Sequence, residues 1–284
     1  MCPMYNPPPS KWIRIALANL DFEITNNRLS DRSAMADKIK FTLQSASELS
    51  ADIVVFPEYS SDESFDDLFH RSSKDNKYVI ISGSCIREHS GKLHNTCSVF
   101  DPRGTQHQIK KRHLTPFEET TGFVVPYTED VYDEILTVMT KYGEIDLLVK
   151  ICLDFILGSH KCDRPDIVII PLYNGNDLEF ENAAAEYALR HGTFVIGLNI
   201  GNKDGHSTIG EWNTNSQSLA GFRARNLLLS PVRPYTCIKY HDEQLVILEL
   251  DITTPLIPNH GQALNRSVNA RITDVRNFPN PILH

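Results

Sequence analysis

The chain has 284 residues, of which 41% are hydrophobic and 23% are charged, as expected for a globular protein rather than a disordered one. Its formal net charge of −8 argues against nucleic acid as a partner, because phosphate contacts need clustered Lys and Arg. No run approaches the roughly 18 consecutive apolar residues of a membrane-spanning helix, so no membrane association is expected. Residues 1–11 are proline-rich and predict an extended lead-in to one domain over residues 12–284.

The cysteines indicate the compartment. All six are scattered without a CxxC pair, and the start of the chain lacks the apolar segment of a signal peptide. A chain of this length does not need disulfides to stabilise its fold. We therefore expect reduced thiols in a cytoplasmic protein.

Taken in chain order, the first half predicts one helix among several strands. A strand is expected over residues 12–20, and a helix over 31–49 whose apolar residues recur every three or four positions. Further strands are expected over residues 52–59, 77–85, 94–104 and 106–111, and turn residues separate the last three.

The second half repeats this alternation. Strands are expected over residues 144–152 and 166–173, then a helix from Leu178 to His191 with Asp177 as its N-cap and Gly192 just past its end. Strands over 193–201 and 243–251 follow, and the tail from Ile252 is expected to be irregular because it is rich in Pro and Asn.

Two of the predicted strands are near copies of each other. The segments are DIVVFPEY (52–59) and DIVIIPLY (166–173), and each ends in a proline, one residue that differs and a tyrosine. Such an echo indicates a layered α/β fold with two related halves. Glu58 in the first copy stands where the second has Leu172, so the carboxylate is not explained by strand formation alone.

Three separate segments carry residues that are suited to catalysis. Glu58 ends an apolar strand, Lys111 precedes Glu119 in KKRHLTPFEE, and Cys152 ends the strand in LLVKICLDF. Each has an ordinary interpretation, respectively a paired carboxylate, a charged surface turn and a buried thiol. Together they supply a nucleophile, a base for its proton and a cation for developing negative charge.

The order and the flanks of these segments resemble the motifs of the nitrilase superfamily, the carbon–nitrogen hydrolases. The resemblance implies an α/β fold, a four-layer α-β-β-α sandwich. It implies that Glu58 is the general base, that Lys111 stabilises the oxyanion and that Cys152 is the nucleophile. Glu119 is then the supporting carboxylate that orients Lys111, although Lys110 is a rival for the lysine.

The same resemblance implies hydrolysis of a non-peptide C–N bond in a small-molecule amide, without a metal or an organic cofactor. The backbone N–H of Leu153 is expected to help bind the oxyanion, and Tyr173 and Asn174 to line the substrate pocket. The CLD sequence after the strand is more similar to the amidase branch than to the true nitrilases. Homo-oligomerisation, as a dimer or a larger assembly, is the usual state of the family.

Two other functions remain open at this point. The same thioester can be passed to an amine, which makes an N-acyltransferase, or the domain can be a binding or signalling module of a larger system. Two polar segments also have open interpretations. HKCD (160–163) is either an incidental loop or a pair of metal ligands. DESFDD (62–67) is either a solvated loop or a negative rim near Glu58.

Overall fold

The computed structural model describes residues 12–122, 124–128, 135–158, 165–173, 177–191, 193–200, 217–221, 235–239, 243–252 and 270–279. The strands are β1 (Trp12–Asn19), β2 (Ile24–Thr25), β3 (Arg28–Leu29), β4 (Ile53–Val55), β5 (Val79–His89), β6 (Lys92–Phe100), β7 (Gln106–Lys110), β8 (Leu136–Thr140), β9 (Gly143–Val149), β10 (Ile167–Pro171), β11 (Phe194–Leu198), β12 (Gln217–Gly221), β13 (Tyr235–Lys239), β14 (Gln244–Asp251) and β15 (Ala270–Asn277). The helices are α1 (Arg32–Glu48), α2 (Asp66–Asn76), α3 (Pro116–Thr121), α4 (Asp154–Leu157) and α5 (Asp177–His191), and a 3-10 turn covers Glu63–Phe65. None of the helices in these ranges has the length and apolar character needed to cross a membrane.

The strands form two large sheets that pack against each other. One sheet has the order β15-β14-β1-β4-β5-β6-β7 and the other has the order β13-β12-β11-β10-β9-β8. The central strands of each sheet are parallel, as β1, β4 and β5 are in the first and β9, β10 and β11 in the second. This repeated arrangement confirms the two related halves that the echoed segments predict.

Alternation along the strands produces the layers. In β1, Ile13 and Ile15 face the apolar core shared by the two sheets, whereas Ala16 and Ala18 face the helix α1 on the outside. On the far side, α5 packs on the outer face of the second sheet, where its Phe180 is buried in the apolar cluster that continues through that sheet. The molecule is therefore the four-layer α-β-β-α sandwich that was expected.

The two predicted helices are confirmed, with their expected buried faces. In α1 the carboxylate of Asp31 accepts from the N–H of Ala34 at 2.9 Å, which caps the first turn. Met35 and Ile39 on its apolar face are almost completely buried. In α5 the predicted face is likewise buried at Phe180 and Ala184.

The acidic segment 62–67 starts a helix instead of forming a loop. Asp62 caps the 3-10 turn by accepting from the N–H of Ser64 at 3.0 Å, and Asp66 begins α2, where the N-terminal dipole favours carboxylates. Asp66 also receives two hydrogen bonds of 2.6 Å from the buried guanidinium of Arg87. Two of the four carboxylates of this segment, Asp62 and Asp66, thus serve local structure, whereas Glu63 and Asp67 are exposed.

The prediction of an irregular tail is wrong for β15. This strand pairs antiparallel with β14 at the edge of the first sheet, for example at Val246 and Val275. Val275 is 44% exposed at this edge of the sheet. The strand contains many polar residues and no apolar run, so the sequence pattern did not predict it.

Candidate active site

The end of β10 connects the two sheets where the candidate residues meet. The N–H of Glu58, after β4, donates to the carbonyl of Leu172 at 3.3 Å, and the N–H of Cys152, after β9, donates to the carbonyl of Pro171 at 3.1 Å. The two echoed segments therefore touch at their corresponding Glu58 and Leu172 positions. These contacts place the carboxylate from one sheet beside the thiol from the other.

The loop that carries Glu58 depends on a close approach by β5. At Gly83 the backbone has a φ of +72°, and an added Cβ would lie 2.1 Å from the carbonyl oxygen of Pro57. A side chain there would displace the loop, so the bulge in β5 requires glycine. Tyr59 then takes a φ of 63° and its N–H donates to Ser84 at 3.1 Å.

Cys152 lies in a tight turn between β9 and α4. Its φ of 47° is in the left-handed region, which is uncommon for a residue with a side chain and is often found at functional sites. The side chain is 1% exposed, and its thiol is hydrogen-bonded to the carboxyl group of Glu58. The predicted base and nucleophile are therefore in direct contact.

Lys111 lies between two carboxylates. Its side chain is fully buried, and Nζ donates to Oε1 of Glu58 and to Oε2 of Glu118, each at 2.7 Å. Nζ has three hydrogens, and no acceptor for the third is present among the residues that the structure describes. Lys110, the rival lysine, instead places Nζ 4.4 Å from the centre of the Tyr127 ring.

The carboxylate in α3 that accepts from Lys111 is that of Glu118, whereas the sequence predicted Glu119 for this position. Helix α3 begins with Thr115 as its N-cap, and Glu118 at the third helical position turns back to form a capping box with Thr115. This helical phase directs Glu118 inward and leaves the next residue, Glu119, exposed. The signal was present as TPFE in the sequence, since Thr followed three residues later by Glu is typical of a helix start.

Glu118 is surrounded by hydrogen-bond donors. The Tyr59 hydroxyl donates to Oε1 at 2.5 Å and the Asn95 amide donates to the same oxygen at 2.9 Å. The N–H and hydroxyl of Thr115 donate to Oε2 at 2.7 and 3.0 Å, beside the bond from Lys111. Burial acts to raise the pKa of Glu118, but the Lys111 charge and these donors hold that pKa below its ordinary value. Glu118 is accordingly a fixed anion.

Glu58 has fewer donors and a different pKa. Burial raises its pKa to about 7, and the Glu118 charge adds to this, while Lys111 opposes it. Two carboxyl groups in one site thus have pKa values that are shifted in opposite directions. Such a difference commonly separates a proton-transferring group from a permanent charge.

The remaining two titratable groups fit this arrangement. Burial and the nearby Glu58 charge raise the pKa of the Cys152 thiol well above its ordinary value, although Lys111 opposes the shift. Burial acts to lower the pKa of Lys111, but the surrounding negative groups raise it overall, so the side chain is a cation. The resting site therefore holds a neutral thiol that needs a base to react.

Asp154 connects the lysine loop to the cysteine turn. Its buried carboxylate accepts the backbone N–H groups of Arg112 at 3.0 Å and His113 at 2.7 Å, and it also contacts the His113 ring at 2.9 Å. These bonds fix the distance between Lys111 and Cys152. The aspartate after the cysteine thus has a structural explanation that spacing alone did not give.

Two of the three predicted substrate-binding residues, Leu153 and Tyr173, lie beside residues of the site. Leu153 is half-buried beside Cys152, and its N–H has no acceptor among the described residues. The ring of Tyr173 packs edge-on against Tyr59 at 5.7 Å and near Phe22 at 6.0 Å, next to the carboxylates. Asn174 lies outside the described residues, as does the HKCD segment.

Exchanging the two adjacent carboxylates for amides tests the assignment of Glu118. In Glu118→Gln, the amide cannot supply the buried negative charge opposite Lys111, so we expect at least a roughly 100-fold loss of kcat/KM against the wild type. The exposed Glu119→Gln variant is the matched control and should stay within about twofold. Steady-state rates with any amide that the protein accepts give the comparison. An equal loss in both variants would contradict the assignment.

The fold and the convergence of Glu, Lys and Cys at facing strand ends define a protein of the nitrilase superfamily. A sequence model described as carbon-nitrogen hydrolase matches residues 14–208, which is more than half of the chain. The chain therefore belongs to the carbon–nitrogen hydrolase family. No curated protein matches its sequence significantly.

Several solved structures share this fold at low sequence identity. XC1258 from Xanthomonas campestris, a CN-hydrolase superfamily protein, has a TM-score of 0.63 and 16% identity, covering 84% of this chain and 90% of its own. Nit3 from Saccharomyces cerevisiae, a nitrilase superfamily member, has a TM-score of 0.60 and 18% identity, covering 88% and 97%. A mutant of the amidase from Nesterenkonia sp. AN1, which shows covalent addition of the acetamide moiety of fluoroacetamide at the active-site cysteine, has a TM-score of 0.62 and 16% identity, covering 84% and 91%.

Proposed function

We propose that the protein is an amidase-like hydrolase that cleaves a non-peptide C–N bond of a small amide through a thioester on Cys152. The observation that carries the proposal is the buried contact of the Cys152 thiol with Glu58, beside the Lys111 cation. A nucleophile, a base and an oxyanion-binding cation are the groups that acyl transfer needs. In a mutant of the similar amidase, the active-site cysteine carries the acetamide moiety of fluoroacetamide, which supports a nucleophilic role for Cys152 here.

In the first half-reaction one proton is transferred, a C–S bond forms and the C–N bond breaks. Glu58 takes the proton of the Cys152 thiol while Sγ attacks the carbonyl carbon of the amide. The carbonyl oxygen becomes an oxyanion, which accepts hydrogen bonds from the third N–H of Lys111 and from the backbone N–H of Leu153. When the C–N bond breaks, Glu58 returns the proton to the departing ammonia or amine. The acyl group remains on Cys152 as a thioester.

The second half-reaction repeats these steps with water. Glu58 removes a proton from water, and the hydroxyl adds to the thioester carbonyl to give a second oxyanion at the same donors. The C–S bond then breaks, the acid leaves, and the thiol of Cys152 regains its proton from Glu58. Glu118 stays ionised throughout and keeps Lys111 in place.

An apolar cluster beside the carboxylates supports a proposed position for the acyl group. Tyr173 and Tyr59 belong to an apolar cluster that also contains Ile24 and Phe117. We place the acyl chain against Tyr173, with Leu153 on the opposite side as the oxyanion donor. An acyltransferase would use the same first half-reaction and then pass the acyl group to an amine instead of water. A binding module would carry out neither half-reaction.

Ammonia release from a panel of simple amides tests the proposal. We expect turnover of at least one amide, with kcat/KM rising as pH increases through about 7, because Glu58 must be ionised to act as the base. In Glu58→Gln this acid limb should disappear together with the activity. Formation of a new amide from an added amine would identify an acyltransferase. If no amide in the panel is hydrolysed, the result would favour a binding module.

A further inference from the structure

Asn95 contacts three members of the site although no motif marks it. It lies in β6 with its side chain completely buried, and its backbone carbonyl accepts the N–H of Lys111 at 2.8 Å. Its amide nitrogen lies 2.9 Å from Oε1 of Glu58 and also 2.9 Å from Oε1 of Glu118. One strand residue thus touches the backbone of the lysine and the side chains of both carboxylates.

The chemistry of the amide fixes its orientation. Both neighbours are carboxylate oxygens, which only accept hydrogen bonds, so the NH₂ group must face them. Its two hydrogens then match the two carboxylates. The amide oxygen of Asn95 is buried with no partner among the described residues, which is a costly arrangement for a polar atom. The two carboxylates therefore fix the orientation of the side chain.

The charges of the site explain why a neutral donor is needed there. Glu58 and Glu118, when both are ionised, share the cation of Lys111, which is the one cation paired with them in the described part of the chain, so these three groups carry an excess negative charge. Buried like charges repel, and each carboxyl group could otherwise turn away or take up a proton. A donor between them attracts both oxygens without adding a further charge.

We propose that Asn95 is the positioning residue of this site, whose amide holds Glu58 and Glu118 in fixed orientation and keeps Glu58 directed at the thiol of Cys152. The inference rests on the proposed function, in which Glu58 is the base. Asn95 acts through the carboxylates and has no bond to make or break in the reaction. It also ties β6 to the loop that carries Lys111.

The pH dependence of Cys152 alkylation is the readout that a purely structural role would not shift. The titratable groups around Glu58 come from every neighbouring element and are Lys111, Glu118, Cys152, Tyr59, Tyr173 and Cys97. Alkylation at Cys152 requires Glu58 to accept the thiol proton, so its rate should follow the ionised fraction of Glu58. The rate in the wild type should therefore rise through about pH 7.

The experiment compares variants of Asn95 by iodoacetamide labelling from pH 5 to 9, with the Cys152 peptide quantified by mass spectrometry. In Asn95→Leu, both donated hydrogen bonds are lost, and the midpoint of the rise should move up by about one pH unit. Asn95→Ser can donate to only one carboxylate and should give a smaller upward shift; its small side chain also suits the strand if the leucine variant does not fold. Thr96→Val, at the next and equally buried position of β6, is the control and should leave the midpoint unchanged.

The outcomes separate this inference from the proposed function. A midpoint near 7 in the wild type that stays unchanged in both folded Asn95 variants overturns the role of Asn95 alone. A wild-type rate without a rise near pH 7 contradicts Glu58 as the base, and the inference fails with it. Upward shifts in the order Leu above Ser, with Thr96→Val unchanged, support the positioning role.

Discussion

Replacing Cys152 with alanine is expected to abolish amide hydrolysis while the protein stays folded. The sulfur is the atom that forms the proposed thioester, and no described neighbour provides a second thiol at the end of β9. Loss of the nucleophile from a site of this kind removes activity by at least about 10⁴-fold. Ammonia release at substrate saturation measures the loss, and far-ultraviolet circular dichroism checks that the variant remains folded.

A second buried thiol provides the matched control. Cys85 is 6% exposed and lies in the first sheet next to Arg87, away from the turn that carries Cys152. Burial raises its pKa to about 12, so it has no activated thiolate at neutral pH. Cys85→Ala should keep activity within about threefold. Hydrolysis that survives in Cys152→Ala would exclude the thioester mechanism.

Replacing Lys111 with methionine is expected to impair both stability and activity. Methionine has a similar unbranched chain but no charge, so Glu58 and Glu118 would be left buried without their cation. Breaking a buried ion pair from one side typically costs about 3–5 kcal/mol of the free energy of unfolding. Loss of the oxyanion donor should lower kcat by about 10²–10³-fold or more.

The stability loss in Lys111→Met should depend on pH with a definite sign. Without the cation, the pKa of Glu58 in the folded state, which burial already raises to about 7, must rise further, and the pKa of Glu118 must rise from its lowered value to above that of the unfolded chain. Protonated carboxyl groups then favour the folded state at low pH, and this contribution is lost as pH rises through the folded pKa values. Urea unfolding at pH 5 and pH 8 should therefore show the larger loss at pH 8.

Lys110→Met is the control for this variant. Lys110 is adjacent in sequence but contacts the ring of Tyr127 rather than a carboxylate, so its loss should change stability by less than about 1 kcal/mol at either pH. An equal, pH-independent effect of the two substitutions would show that Lys111 does not hold the carboxylates in place.

The sequence predicted those parts of the fold in which the spacing of apolar residues agrees with local signals such as helix caps and turn residues. The helix after Asp31 has both a cap and an apolar face, and the echoed strands have continuous apolar runs. The edge strand β15 and the helix α2 were not predicted, because their residues are mostly polar. For α2 the acidic residues were a helix-start signal that also fits a loop.

In the site, too, some residues could be predicted from sequence motifs and others depend on the three-dimensional arrangement. Glu58, Lys111 and Cys152 were identified from ordered motifs, and the structure brings them together. The choice between Glu118 and Glu119 depends on helical phase, which follows from the capping box at Thr115. Asn95 could not be selected from sequence, because its importance comes from strand pairing that places β6 beside the lysine loop. A lone polar residue within a strand gives no indication of its partners.

The mass of the enzyme during turnover tests the thioester directly. Acid quenching of the wild type with an accepted amide should reveal a peptide containing Cys152 that is heavier by the acyl group of that amide, and hydroxylamine should remove the added mass. The adduct should be absent in Cys152→Ala. An acyl group found on another residue, or turnover that leaves no adduct at Cys152 under conditions where acid release is rate-limiting, would contradict the proposed mechanism.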